Sequence, residues 1–245
     1  MVQYRAAPGA NVQPYRGGIF SYTKIFNQNH DMERPKNIIR RRNIIAVRLI
    51  ILFHAVGLVG LYLLVSKPLF LLLVPFHLLL MTVVLFFSHN QFGSKIIYFF
   101  VLLFFAGFAL EWIGVNTSQL FGSYTYGPTL GVSFSGIPLI MGINWFLLIY
   151  SAGVSLQHSR IKSMWIRIIL GALVLVMLDY FIEPVAIRLN YWHWAGNYVP
   201  VQNYGCWFIT SVALLFVFEK FNFKKQGIAG PTLLVCQFIF FAALQ

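Results

Sequence analysis

Acidic residues and cysteines are scarce in this chain. Only six Asp and Glu occur among 245 residues, and charged residues of either sign make up 10% of the total. A water-soluble domain carries roughly 25% charged residues, so a charged, solvated surface over the whole chain is excluded. The two cysteines, Cys206 and Cys236, stand far apart in apolar segments, and neither their number nor their spacing supports a metal site or a disulfide framework. The sequence also lacks a glycine-rich phosphate loop, a Ser-His-Asp pattern and an aspartate-rich diphosphate motif of the prenyltransferase kind. His193, bracketed by two Trp, has no partner at ligand spacing, so no metal site is expected. Nor is a cleavable signal peptide expected, because the first apolar run starts only after Arg40-Arg41-Arg42.

What is abundant is apolar. Hydrophobic residues make up 59% of the chain, its mean hydropathy is +0.74, and several runs approach the roughly 20 apolar residues that cross a bilayer. Residues 1–43 are polar and basic, and read as a disordered cytoplasmic tail. Within them Met32 opens a compact basic segment that reads as an alternative translation start, testable by N-terminal mass spectrometry of the native protein. Residues 44–245 read as a single transmembrane domain of about seven spans, near 44–65, 69–87, 96–115, 137–156, 166–185, 205–219 and 228–244. The runs are continuous rather than alternating, so they are expected to be helices, giving an all-α polytopic bundle. Pro184 is the expected terminator of the fifth span.

The net charge of +12 would raise nucleic-acid binding for a soluble protein. Here the basic residues gather in the tail and in alternate loops, with Lys95, Arg160, Lys162, Lys220, Lys224 and Lys225 on one side and only Lys67 and Arg188 on the other. That asymmetry predicts a cytoplasmic N-terminus, contact with lipid headgroups, and no nucleic-acid partner. A cell-membrane setting follows; the sequence carries no signal for oligomeric state.

Three of the six acidic residues, Glu111, Asp179 and Glu183, fall in or at the ends of apolar spans, toward the non-cytoplasmic side. An ionisable group in a span is costly and marks a functional site by default, with an interfacial residue facing water as the lesser reading for Glu183 beside Pro184. Asp179 and Glu183 are four apart and share a helix face. Two carboxyls so placed do not both ionise cheaply, and one is expected to hold a proton at neutral pH, making an acid/base pair. Trp112, Trp145, Trp192, Trp194 and Trp207 lie near the same depth. They read either as an interfacial aromatic belt or as rings whose faces stabilise a carbocation. Asn144 and Asn203 need hydrogen-bond partners, as interhelical ties or to orient a water or a carboxyl. His54, His77 and His89 are expected to make helix contacts or face the interface. The loops 116–136 and 186–204 are long, uncharged and aromatic, which suits re-entry into the interface. Spans three and four parallel spans five and six: an acidic residue, an aromatic loop, Pro, then Trp, with Pro138 to Trp145 and Pro200 to Trp207 equally spaced. This reads as a parallel internal repeat or as a coincidence of short matches.

Glu111-Trp112-Ile113-Gly114-Val115-Asn116-Thr117, Phe121 to Tyr126, Gly136-Ile137-Pro138-Leu139 and Asn144-Trp145 resemble one signature of the integral-membrane carotenoid hydratases. Asp179, Glu183-Pro184, Trp192, Trp194, Pro200, Asn203-Tyr204 and Trp207 resemble a second. The resemblance covers about 110–210; elsewhere it is one of hydrophobicity. Ser118 departs from it, standing where a Gly is expected after the Thr, which bears on loop geometry. The resemblance implies cofactor-independent hydration, in the bacterial cytoplasmic membrane, of the terminal C1′=C2′ alkene of an acyclic carotenoid. Protonation at C2′ gives a tertiary cation at C1′, and water adds there. It implies membrane-dissolved carotenoid and water as the reacting partners and the lipid bilayer as the setting. Asp179 and Glu183 would be the proton source, and Glu111 or the pair's ionised member the base. Tyr124, Tyr126, Asn144, Trp145, Trp192, Trp194, Asn203 and Trp207 would position the end group and the water. Two other readings stay open. A lycopene-type cyclase would begin with the same cation and trap it with an internal alkene. A proton-coupled transporter or carotenoid-binding protein would need a water-lined path to both sides, whereas the carboxyls cluster at one end. The absence of Lys from the last span argues against a retinal Schiff base.

Overall fold

The computed structural model describes residues 36–245, and these form seven α-helices, one short 3-10 helix (Pro128–Leu130) and four very short strands. The helices are α1 (Lys36–Tyr62), α2 (Lys67–Ser88), α3 (Ser94–Thr117), α4 (Ile140–Gln157), α5 (Met164–Arg188), α6 (Val201–Phe221) and α7 (Ala229–Ala243). The strands are β1 (Tyr124–Tyr126), β2 (Ser133–Phe134), β3 (Ile137–Pro138) and β4 (Trp192–Trp194). The first six helices are long and apolar enough to cross a membrane, and α7 is a shorter apolar helix. The chain is an all-α membrane bundle.

Three boundaries differ from expectation. The first helix begins at Lys36 and stops at Tyr62, so the end of the expected tail is helical; the rest of the tail, including Met32, lies outside the described residues. Pro184 does not end its span. It sits inside α5, which continues to Arg188. Proline removes one backbone donor and usually kinks a helix, but in a bundle the packed neighbours sustain the following turn: Val185 and Ala186 are fully buried beyond it. The long loops are also more structured than interfacial re-entry suggests, since each contributes a strand to one antiparallel pair, β1 with β4.

One helix is central. In α4 the most apolar stretch is 72% buried inside the protein, against 22–39% in the other five long helices. Those five turn side chains such as Leu72, Phe76 and Phe105 outward, onto what is a lipid-facing surface. With lipid outside, helices associate through close packing of small residues rather than hydrophobic expulsion. Gly107 and Gly142 supply it, for a Cβ on Gly107 would lie 2.6 Å from the Trp145 ring and one on Gly142 2.5 Å from the Phe104 carbonyl oxygen.

The bundle has two chemically different ends. At one, the linkers after α2, α4 and α6 meet: Asn90 Nδ2 donates to the Lys225 carbonyl, Lys95 to the Asn222 carbonyl and Gln157 Nε2 to the Phe223 carbonyl. This is the lysine- and arginine-bearing end. At the other, β1 and β4 pair with Tyr124 opposite Trp194, Thr125 opposite His193 and Tyr126 opposite Trp192. The spans before these strands, α3 and α5, deliver Glu111, Asp179 and Glu183 beneath the pair.

Candidate active site

Glu111, Asp179 and Glu183 are 4%, 0% and 2% exposed. Charge cannot be left unpaired at that depth without large cost, and each carboxyl has specific partners. All of these partners are neutral donors.

Glu111, on α3, receives three. Tyr124 and Tyr126 donate their hydroxyls to Oε2 at 2.7 and 2.6 Å, and Trp145 Nε1 donates to Oε1 at 2.9 Å. Burial first, and then the Glu111 carboxylate beside them, push both phenols far above their ordinary range, so they stay protonated donors. Glu183, on α5, also receives three. Trp192 and Trp194 Nε1 both donate to Oε2, at 2.9 and 2.8 Å, and Asn203 Nδ2 reaches Oε1 at 3.2 Å. The same Asn203 nitrogen donates to Asp179 Oδ2 at 2.8 Å, so one amide on α6 ties the two carboxyls of α5 together. Asp179 Oδ1 is buried with no hydrogen-bond partner.

The β1–β4 pair explains this reach. Alternate residues of a strand point to one face. Tyr124 and Tyr126 therefore turn together toward Glu111, and Trp192 and Trp194 together toward Glu183. The two halves follow one plan: a membrane helix bearing Glu, a three-residue strand whose first and third rings bind that Glu, then a partner helix entered through Pro. The Trp residues placed seven after those prolines meet, with the rings of Trp145 and Trp207 at 4.7 Å and 32°. Asn203 has no counterpart in the first half, so the second half alone carries the linked carboxyl pair.

Ser118 sits at the exit of α3 with φ 55°. That is the left-handed region where Gly is favoured and a side chain is strained, which is the geometry the expected Gly would suit. Gln202 on α6 fastens the segment that follows, its amide donating to the Gln119 carbonyl and, at 3.0 Å, to the Leu120 carbonyl.

A cavity of about 20 Å³ lies among Glu111, Glu183, Tyr124, Tyr126, Asn203 and Trp207. That is room for about one water molecule, with more than the two to four polar partners a water needs. Met141 and Trp192 also line it, and both reappear in the wall of a larger cavity of about 320 Å³ between α1, α2, α4 and α7. Nearly every site residue expected from the sequence thus converges. Asn144 does not: it lines the larger, mostly apolar cavity. Trp112, 45% exposed, fits the belt, whereas Trp145, Trp192 and Trp194 are carboxyl donors. Phe121 and Met141 join the site without having been expected, and His54, His77 and Gln237 line the larger cavity. Among the described residues no three His, Cys, Asp or Glu form a group able to hold a metal ion.

Residues 69–244 match the family described as carotenoid biosynthesis protein. The chain belongs to that family. The match takes in six of the seven helices and all of the carboxyl site. Among curated proteins, the bisanhydrobacterioruberin hydratase of Haloarcula japonica is 26% identical over 128 residues, covering 49% of this chain and 43% of that protein. The chain thus matches less than half the length of that relative. No solved structure is similar to it.

Proposed function

We propose that this member of the carotenoid biosynthesis family hydrates the terminal C1′=C2′ alkene of an acyclic carotenoid, giving a 1′-hydroxy product. The observation that carries this reading is the pairing of buried carboxyls with a cavity of one-water size, about 20 Å³, between Glu111 and Glu183. The printed name of the Haloarcula japonica relative, a hydratase, points the same way.

In this reading the Asp179–Glu183 pair holds one proton. Glu183 is the member that reaches the cavity, and its Oε1, bound only by the longer Asn203 contact of 3.2 Å, is the oxygen with room to carry it. Asp179, with an unpartnered Oδ1, is the reserve. Glu183 gives the proton to C2′ as the alkene π electrons form the new C–H bond, leaving a tertiary cation at C1′. The water oxygen bonds to C1′. Glu111, the ionised carboxyl in this reading, balances the cation and takes the proton that the bound water loses. Proton return from Glu111 to the pair through solvent resets the site, and the sum is alkene plus water to alcohol. Trp145 and Trp207 would shield the cation, and the polar rim of Tyr124, Tyr126 and Asn203 would hold water where an internal alkene would otherwise close a ring. The lysine- and arginine-bearing end would face the cytoplasm of a bacterial cell, with carotenoid arriving from the bilayer.

The test is expression in a bacterium that accumulates lycopene or γ-carotene, with pigments separated and weighed by mass spectrometry. A product heavier by one water, absent with Glu183→Gln and Glu111→Gln, is expected. An isomer of unchanged mass would replace hydration with cyclisation.

A further inference from the structure

The larger cavity, about 320 Å³, is almost wholly apolar, yet four helices each place one polar side chain in its wall: His54 from α1, His77 from α2, Asn144 from α4 and Gln237 from α7. Polar groups in an apolar enclosure are costly unless bonded. Gln237 is 6% exposed and its Oε1 has no partner. His54 is 8% exposed. Its Nδ1 lies 2.9 Å from the Ile50 carbonyl oxygen. A carbonyl only accepts, so Nδ1 carries the hydrogen and Nε2 is left as an acceptor. The His77 ring stands edge-on to it at 4.7 Å. The wall therefore offers acceptors and asks for a donor on an otherwise apolar body.

The cavity also has the position of an entry chamber. Val56, Leu73 and Phe76 in its wall are exposed on the outer faces of α1 and α2, where lipid lies. At its inner limit Met141 and Trp192 separate it from the carboxyl site. Trp192 is pinned to Glu183, whereas Met141 is flexible and unbranched, a partition able to yield. A volume of 320 Å³ suits the end of an isoprenoid chain, not a whole carotenoid, so the polyene would remain between α1 and α2 and in the bilayer.

We propose that this cavity is a binding subsite for the hydroxylated end of an isoprenoid chain, its tertiary O–H donating to one or other of the acceptors presented by His54 and Gln237. The choice of a tertiary alcohol rests on the hydratase reading. The subsite would draw the new hydroxyl away from the carboxyls after water addition, and would favour chains that already bear a hydroxyl.

The experiment compares two probes that differ by one water, citronellene and its tertiary alcohol dihydromyrcenol, binding to purified full-length protein in detergent. Quenching of tryptophan fluorescence is the readout, and recovered ligand is weighed so that turnover is not read as affinity. One net hydrogen bond corresponds to roughly threefold to tenfold in affinity, so the alcohol is expected to bind tighter by about that factor. Gln237→Leu and His54→Phe should each shrink the preference while citronellene binding persists. Equal binding of the two probes by the native protein would overturn the proposal, as would a preference that survives both substitutions. The native comparison holds even where a variant fails to fold. Because binding is read without turnover, a hydratase that lacks the preference and a preference without hydratase activity are separate results.

Discussion

Replacing Glu111 in two ways separates its charge from its role as a hub. Three donors converge on it, from Tyr124, Tyr126 and Trp145. In Glu111→Gln the carboxamide oxygen can still accept from Trp145 Nε1, and its nitrogen can donate to the tyrosine hydroxyls, which rotate to accept. The network survives without the charge. In Glu111→Leu nothing accepts. Trp145 and Tyr124, 0% and 7% exposed, then hold stranded donors. At about 1–3 kcal/mol for each buried unsatisfied group, the loss is about 2–6 kcal/mol. The lower half of that range is expected, because the Tyr124 and Tyr126 rings, 5.5 Å apart, can turn their hydroxyls toward each other. Against a typical total stability of roughly 5–15 kcal/mol, that is a large fraction. The assay is thermal unfolding of both variants in one detergent, beside pigment conversion in cells. Glu111→Gln should unfold near the native temperature and convert no pigment, and Glu111→Leu should unfold well below it. Equal stability of the two variants would refute the hub, and full conversion by Glu111→Gln would refute the catalytic role.

Three other outcomes follow from local geometry. A Cβ at Gly107 would stand 2.6 Å from the Trp145 ring, so Gly107→Ala should move the indole off Glu111 and cut pigment conversion while the protein still inserts in the membrane; unchanged conversion would show that the contact relaxes elsewhere. Ser118→Gly relieves a left-handed φ of 55° at an exposed helix end and should stabilise by about 0.5–1 kcal/mol, read as a raised unfolding temperature. His89, in the linker after α2, bonds the Tyr150 hydroxyl at 2.7 Å, and burial pushes its imidazole down to about 4 from 6.5. Folding then requires the neutral ring: its contribution is present above about 6.5 and is lost as pH falls toward about 4. His89→Gln should flatten that part of the stability profile, and an unaltered slope would assign the pH dependence to other groups.

The carboxyl site was legible because ionisable residues stand out in apolar runs. Glu111, Asp179 and Glu183 could be picked by burial cost alone, and the spacing of Asp179 and Glu183 put them on one face. Which ring binds which carboxyl was not legible, because it depends on pairing two three-residue strands from distant loops, and strands that short have no periodic run around them. Tyr124 with Tyr126, and Trp192 with Trp194, did carry a period of two, the one local signal that could have identified them. Pro184 was misleading because a terminator rule for isolated helices gives way where packed neighbours hold the next turn. Gln237 stands out less in its apolar helix, because burying a neutral amide costs less than burying a carboxylate. Asn144 was grouped with Asn203 by its place in the chain. By distance from the entry proline, however, the residue that corresponds to Asn203 is Met141, not Asn144.

The central claim is that water adds across a carotenoid alkene under carboxyl catalysis. Its most direct measurement is the isotopic content of the product formed by purified protein in deuterium oxide enriched in oxygen-18. The account predicts one oxygen-18 at C1′ and one non-exchangeable deuterium at C2′ in each hydrated end. A hydroxyl without oxygen-18, or a product with deuterium and no added oxygen, would contradict it.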